Sequence, residues 1–318
     1  EYYGAQDSGR GVKISARKEA GLTVCMVGAN GLIGGARAAL LDERGFPYSE
    51  LRKMAAREAT AASFDKVDLV LLATSDELAK KLAPLAIAQG ATVIDHSAAW
   101  RLDDEVPLVV PEINGDLVDA NTKLIATPNC TIPGFAMAID ALNAASKVTD
   151  VVVTTMQSAS GAGRAGLKQY LNCGDLIAQC EDFLENGYTT EEEKMLFETR
   201  KVLDDFDLSV TMTCVRVPVE IGHAASMLLS FAAPITIEEA RYALQNYPGI
   251  ELLDDTHNDV YPTAASAAGG DSVQVGRLRL DHDGKRLWMW QVTDNLRKGA
   301  ALNSIQIAEQ LFAHHLCR

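Results

Sequence analysis

Of the six cysteines in the chain, Cys130 stands where a thiol could do chemistry. The stretch Leu124-Ile125-Ala126-Thr127-Pro128-Asn129-Cys130-Thr131-Ile132-Pro133 runs a short apolar strand into a turn, and residues 134–142 (GFAMAIDAL) continue at helical spacing. A thiol is a strong nucleophile only as thiolate. The end of a strand at a helix N-terminus favours that charge, through unpaired N–H groups and the helix dipole. A buried structural cysteine would show the same local pattern. The partners that covalent chemistry needs lie further along. His223, taken alone, reads more readily as a hydrogen-bonded structural histidine. Arg216, inside the alternating run 209–217 (SVTMTCVRV), is costly to bury unless it meets an anion. Glu191 and Lys194 follow Thr190, a plausible N-cap, and share a helix face at i, i+3. They would show a pocket one carboxylate and one ammonium, or form an ordinary surface ion pair.

Strands and helices must position these groups. Residues 21–27 (GLTVCMV) form an apolar run of strand length, followed by Gly28-Ala29-Asn30-Gly31-Leu32-Ile33-Gly34-Gly35 and a helical pattern over 36–41. Glycines at 28, 31 and 34 suit a sharp turn, close approach to a pyrophosphate and packing of helix on sheet. The spacing is GxxGxxG, so a plain tight turn fits the letters as well. A second strand, 50–56, leads to Arg57 where an acidic residue usually grips an adenosine ribose. A cation there fits a 2′-phosphate, or is a solvated surface charge beside Glu58. Strands at 67–73 and 91–95, with a helix over 77–88 between them, give the alternation of a doubly wound parallel sheet. Arg101 lies just past the fourth strand, as an anion clamp or as a salt-bridge partner of Asp103 or Asp104. Pro111 through Gly115 reads as a turn.

After Cys130 the pattern turns to strands at 148–156, 209–217, 227–232, 273–279 and 287–292. The first of these runs into the loop Gln157-Ser158-Ala159-Ser160-Gly161-Ala162-Gly163, which suits close approach to a ligand. A helix over 303–314 closes the chain. With 318 residues, 47% of them hydrophobic, the chain is long enough for two cores. No apolar run reaches membrane-spanning length. A net charge of −14 opposes the basic footprint of nucleic-acid or anionic-membrane binding. The cysteines (Cys25, Cys130, Cys173, Cys180, Cys214, Cys317) show no CxxC pair and no metal spacing, and no secretory signal is seen. The expectation is a reduced, cytoplasmic protein without a metal. Residues 1–20 read as a polar tail.

The ordered set GANGLIG (28–34), SAAWR (97–101), TPNCT (127–131), MQSASGAG (156–163), EEEK (191–194), ETRK (198–201), TCVRVPV (213–219), Gly222-His223, YPT (261–263), VGRLR (275–279) and DNLRKGAALNSIQIAE (294–309) resembles the aspartate-β-semialdehyde dehydrogenase family. The resemblance runs from about Gly21 to the last helix. It implies a Rossmann-type cofactor domain (21–129 plus 296–318) and an α+β catalytic and dimerisation domain (130–295). It also implies NADPH-dependent reductive dephosphorylation of L-aspartyl-4-phosphate to the semialdehyde, on the way to lysine, methionine and threonine, by a homodimer or homotetramer.

In that light Cys130 corresponds to the nucleophile that forms a thioacyl enzyme and His223 to the general acid/base. Gln157 corresponds to a substrate-orienting residue and Arg216 to the partner of the substrate carboxylate. Arg101 and Lys194 match the phosphate contacts, and Glu191 the partner of the substrate ammonium. Asn129 and the Cys130 N–H could form an oxyanion site, a term often worth about 3 kcal/mol per donor. Asn30, Gly31, Leu32 and Ile33, flanked by Gly28 and Gly34, match the phosphate turn. Ser160 and Gly161 match the nicotinamide side, and Asn295 a late cofactor contact. Two stretches are shorter than the family pattern. Between Arg57 and Asp68 the loop expected for a 2′-phosphate is absent or altered, so NAD stands open beside NADP. Between Gly163 and Glu181 part of the usual subunit-interface segment is absent.

Other readings are a reductase of a different acyl phosphate or thioester, a cysteine hydrolase or acyltransferase without redox, and a non-catalytic relative. The Glu191/Arg216 pair, the glycine turn and the intact Cys130, Gln157, Arg216 and His223 weigh against them in turn.

Overall fold

A computed structural model describes residues 21–313. The expected N-terminal tail, the last residue of the expected closing helix and Cys317 lie outside the described residues. Two compact units divide the chain, with crossings after residues 107, 117, 127 and 303. The sequence boundaries were set instead at 129/130 and 295/296.

The first unit holds β1 (Leu22–Val27), α1 (Leu32–Glu43), β2 (Tyr48–Met54), β3 (Leu69–Leu72), α2 (Asp76–Ala88), β4 (Thr92–Asp95) and β5 (Leu124–Ala126). Its sheet has the order β2-β1-β3-β4-β5, and every pairing is parallel. All four residues of β3 and of β4 are buried, as befits parallel strands covered on both faces. Cys25, Val27, Val70, Leu72, Leu82 and Val93 belong to one core cluster. This is the Rossmann-type sheet that the alternation predicts. One end differs: β2 stops at Met54, and Arg57 sits beyond it in a single 3-10 turn over Ala56–Glu58.

The second unit holds α3 (Pro111–Asn114), α4 (Ile132–Asn143), β6 (Val148–Gln157), α5 (Gly163–Cys173), α6 (Thr190–Leu203), β7 (Ser209–Arg216), β8 (His223–Phe231), α7 (Ile237–Gln245), β9 (Ile250–Leu252), α8 (Ala264–Ala267), β10 (Val273–Leu280) and β11 (Arg286–Thr293). The first turn of α9 (Leu302–Leu311) carries the last crossing. The expected turn at Pro111 is the one-turn helix α3, with proline in its first turn.

The sheet of the second unit is mixed, in the order β7-β6-β8-β11-β10-β9. Its register matters for function. Gln157 pairs with Arg216 across the parallel β6/β7 edge, Met156 pairs with Ala224 across β6/β8, and His223 pairs with Thr293 across β8/β11. Three candidate site residues therefore end or begin strands at one end of a single sheet. Burial alternates along β6 and β8, so one face packs on a core while the other is more open. The buried face receives α4, ten of whose twelve residues are buried. Gly134 in its first turn lies where any Cβ would strike Thr293 and Gln291.

Between β11 and α9 the backbone makes a π-turn over Arg297–Ala301, a geometry often found at functional sites. Gly299 in that turn packs on the Cys130 carbonyl, from which a Cβ would stand only 2.5 Å away. Lys298, fully buried, donates to Glu112 of α3 at 2.5 Å. Among the described residues no helix is long and apolar enough to cross a membrane.

Candidate active site

Cys130 is partly exposed, between β5 and α4, one residue before the Thr131 N-cap. Its Sγ lies 3.2 Å from His223 Nε2. The turn is tied down on both sides. Asn129 Oδ1 accepts from Thr131 N at 2.9 Å, and Ile132 N donates to the Asn129 carbonyl at 2.9 Å. No acidic residue occupies the first turn of α4, so nothing there opposes a negative sulfur.

His223 is 2% exposed. Burial, and then the positive charge of Arg216, pull its pKa down to about 3, so the ring is neutral at physiological pH. Its Nδ1 faces Ser158, whose backbone N–H donates to it at 3.0 Å and whose Oγ also lies 3.0 Å away.

Arg216 is 6% exposed and donates through Nη1 to the Ser158 carbonyl at 2.9 Å. Its guanidinium carbon stands 5.4 Å from the centre of the Tyr170 ring on α5, a cation–π contact. Its buried Nε has no hydrogen-bond partner. A buried guanidinium with an unused donor is ready for an anion. Gly161 lets Arg216 and His223 come this close, because a Cβ on it would stand 2.9 Å from Arg216 Nη1 and 2.8 Å from His223 Cε1.

Glu191 turns inward from α6. Both of its oxygens accept from Asn129 Nδ2, at 2.8 and 2.9 Å, and Gln157 Nε2 donates to Oε1 at 3.1 Å. Burial, and then Glu181, hold its carboxyl above the usual range. Glu198, seven residues on and on the same face, accepts from Asn129 N at 2.6 Å.

These contacts bear on three sequence expectations. The Asn129 amide, expected at an oxyanion, is engaged on both sides: its Nδ2 donates to Glu191 and its Oδ1 accepts from Thr131 N. Lys194 acts on Glu191 only as a nearby charge, because its Nζ pairs instead with Glu181 at 2.5 Å. The N-cap of α6 is Thr189 rather than Thr190, in a capping box with Glu192.

Ser160 and Asn295 are both buried and bonded to each other, with Asn295 Nδ2 donating to Ser160 Oγ at 3.0 Å. Asn295 Oδ1 accepts from Gly222 N at 3.0 Å and from Ser158 Oγ at 2.9 Å. Asn295, the expected late cofactor contact, also braces the loops around His223. Sequence reasoning passed over Ser158, Tyr170, Glu181 and Glu198. Only Glu198 had a readable signal, its i+7 spacing from Glu191.

The first unit carries the other expected residues. Gly28 has φ +83° and packs on the Ala73 carbonyl, where no side chain fits; Gly34 packs on Ala29. Gly31 is the N-cap of α1, in extended backbone, with no side chain capping the helix and no acid in its first turn. Asn30 and Gly31 are exposed, and Leu32 and Ile33 are partly so. A helix N-terminus left open behind a tight glycine turn is a cradle for phosphate. Arg57 has 87% of its side chain in solvent and lies 3.9 Å from Glu58. Arg101, by contrast, is buried and donates to the His96 carbonyl at 2.8 Å.

A Rossmann-type unit followed by a mixed-sheet unit with a thiol–imidazole pair defines a dehydrogenase of the semialdehyde type. Residues 48–120 match the NAD binding domain of semialdehyde dehydrogenases, and residues 139–298 match their dimerisation domain. The chain belongs to the aspartate-semialdehyde dehydrogenase family. It is 37% identical to the aspartate-semialdehyde dehydrogenase of Prochlorococcus marinus, over 91% of this chain and 96% of that one. Identity to the Aquifex aeolicus enzyme is also 37%, over 92% and 98%. A crystal structure of aspartate semialdehyde dehydrogenase II from Vibrio cholerae, complexed with ASA, superposes with a TM-score of 0.85 at 34% identity, covering 93% of this chain and 99% of that chain.

Proposed function

We propose that this protein reduces L-aspartyl-4-phosphate to L-aspartate 4-semialdehyde with release of phosphate, through a thioacyl intermediate on Cys130. The observation that carries the reading is the 3.2 Å approach of Cys130 Sγ to a neutral, buried His223. His223 Nε2 takes the thiol proton, and the sulfur attacks the acyl carbon. The C–S bond forms as the C–O bond to phosphate breaks, so one hard reduction becomes two easier steps. Arg216 pairs with the substrate carboxylate through its free edge. Glu191, already ringed by Asn129 and Gln157, receives the substrate ammonium, and Gln157 orients the acyl group. Arg101 and Lys194 meet the phosphate, Lys194 by exchanging Glu181 for it.

The glycine turn fits a dinucleotide: Gly28 and Gly34 leave the space, and the open end of α1 (Gly31, Leu32, Ile33, with Asn30 at the rim) receives the pyrophosphate. When bound, the reduced nicotinamide would supply a hydride to the thioester carbon, and the C–S bond would then break to release the semialdehyde and return the Cys130 thiolate. Arg57, free in solvent beyond β2, favours NADP over NAD. The first unit serves as the cofactor domain and the second as the catalytic and dimerisation domain of a cytoplasmic homodimer or homotetramer.

A reductase of another acyl phosphate is disfavoured by the Arg216/Glu191 pair, which matches a substrate with both amino-acid charges. The test runs the reaction backwards: phosphate, aspartate semialdehyde and NADP or NAD are mixed with protein, and the absorbance of reduced nicotinamide is followed. Signal from the parent and none from Cys130→Ala is expected. Turnover by Cys130→Ala would overturn the reading.

A further inference from the structure

Ser158 holds two different polar groups against one ring atom. Its backbone N–H and its hydroxyl oxygen each lie 3.0 Å from His223 Nδ1. The two contacts suit opposite states of that nitrogen. An N–H can only donate, so it serves Nδ1 when the nitrogen is bare. The hydroxyl oxygen can accept, so it serves Nδ1 when the nitrogen is protonated, provided its own hydrogen has somewhere to go. Asn295 Oδ1 is that place, at 2.9 Å. The Asn295 amide is held with its oxygen toward Ser158, because its nitrogen donates to Ser160 Oγ at 3.0 Å and its oxygen also takes Gly222 N at 3.0 Å.

We propose that Ser158 is a positioning residue for proton transfer: its hydroxyl, backed by Asn295, allows His223 Nδ1 to carry a proton and so leaves Nε2 bare to accept the proton of Cys130. The inference rests on the reading of Cys130 as the nucleophile. In the transfer the S–H bond breaks, its electron pair stays on sulfur, and an Nε2–H bond forms. The resulting imidazolium donates from Nε2 to the thiolate and from Nδ1 to Ser158 Oγ. In the other neutral tautomer Nδ1 accepts from the Ser158 backbone and Nε2 already holds its hydrogen, so the ring can donate to sulfur but cannot take its proton.

The charged or titratable groups facing the ring are Cys130, from the turn before α4, and Arg216, from β7. Ser158, Ser160, Gly161 and Asn295 are uncharged. Arg216 and burial both oppose a second proton on the ring, which gives the hydroxyl its leverage. Deleting it strands a buried Nδ1–H in the base-competent tautomer and in the imidazolium alike.

The test is alkylation of Cys130 by iodoacetamide across pH, read on the Cys130 peptide by mass spectrometry, in the full chain and in Ser158→Ala and Ser158→Thr. Alkylation in Ser158→Ala should be about tenfold slower at neutral pH, its curve displaced by about one unit toward alkali, while Ser158→Thr follows the parent. A Ser158→Ala curve that overlays the parent, or a Ser158→Thr curve that moves with Ser158→Ala, overturns the proposal. If Ser158→Ala does not fold, Ser158→Gly removes the same hydroxyl, keeps the backbone N–H, and must show the same displacement. Alkylation needs neither substrate nor cofactor, so failure here and failure of the reverse reaction are separate results.

Discussion

Gly161 and His223 touch so closely that a methyl group on the glycine would stand 2.8 Å from the imidazole Cε1. The same methyl would meet Arg216. Gly161→Ala must therefore displace His223, Arg216 or the loop that carries the glycine. Displacements of about an ångström at reacting groups cost on the order of 10²-fold. Steady-state kinetics should show kcat/KM falling by about that much. The melting temperature should fall as well, because the displaced His223 and Arg216 are buried.

The guanidinium carbon of Arg216 lies over the Tyr170 ring, 5.4 Å from its centroid. A cation–π contact of this kind is worth about 1 kcal/mol. Tyr170→Ala should raise KM for aspartate semialdehyde about fivefold with kcat little changed, whereas Tyr170→Phe should stay near the parent. Equal losses in both variants would assign the effect to the hydroxyl instead.

Arg57 has a single carboxylate nearby and is otherwise in solvent. If it grips a 2′-phosphate, Arg57→Ala should raise KM for NADP about tenfold, a charge-assisted hydrogen bond being worth about 1.5–3 kcal/mol, and leave KM for NAD alone. Parallel titrations with both cofactors check this. Unchanged NADP kinetics would make Arg57 a surface charge.

Burial pushes the Cys25 thiol up to about 11, the Cys180 thiol up to about 12, and the Cys214 thiol further. These three stay protonated and inert near neutral pH. Brief iodoacetamide treatment followed by peptide mapping should label Cys130 and exposed Cys173 while sparing Cys25, Cys180 and Cys214. Early labelling of any of the three would contradict their burial.

His223 keeps its depressed pKa only while folded. As pH falls from about 6.5 toward 3, the unfolded chain binds a proton that the native ring refuses, so stability contributed by the neutral ring is present above the unfolded pKa and is lost on acidification. Glu191, whose folded pKa is raised, works in the opposite sense between its unfolded and folded values. Denaturant midpoints measured across this range should fall less steeply in His223→Gln than in the parent.

The parallel sheet was readable because its strands are short, wholly apolar and punctuated by glycine turns. Cys130, Arg216 and His223 were readable because thiols at helix starts, charges inside strands and lone histidines stand out locally. Residues 223–226 were harder. His-Ala-Ala-Ser has little strand propensity, and β8 begins there only because β6 and β11 flank it on either side. Partner choice was harder still. Helical spacing puts Glu191 and Lys194 on adjoining positions, yet it says nothing about the segment carrying Glu181, which claims the lysine. Nor could letters show that Asn129, next to the nucleophile, spends its amide on a buried carboxylate. Such assignments depend on which distant strands meet, and only the fold decides that.

The contact between Gly299 and the carbonyl of Cys130 joins the turn that carries the thiol to a stretch far downstream of it in the chain. A growing polypeptide that has emerged only as far as β8 already carries its thiol and its imidazole but lacks the Gly299 backbone on which the Cys130 carbonyl packs. The turn that carries Cys130 can therefore meet this backing only after the stretch following β11 has emerged.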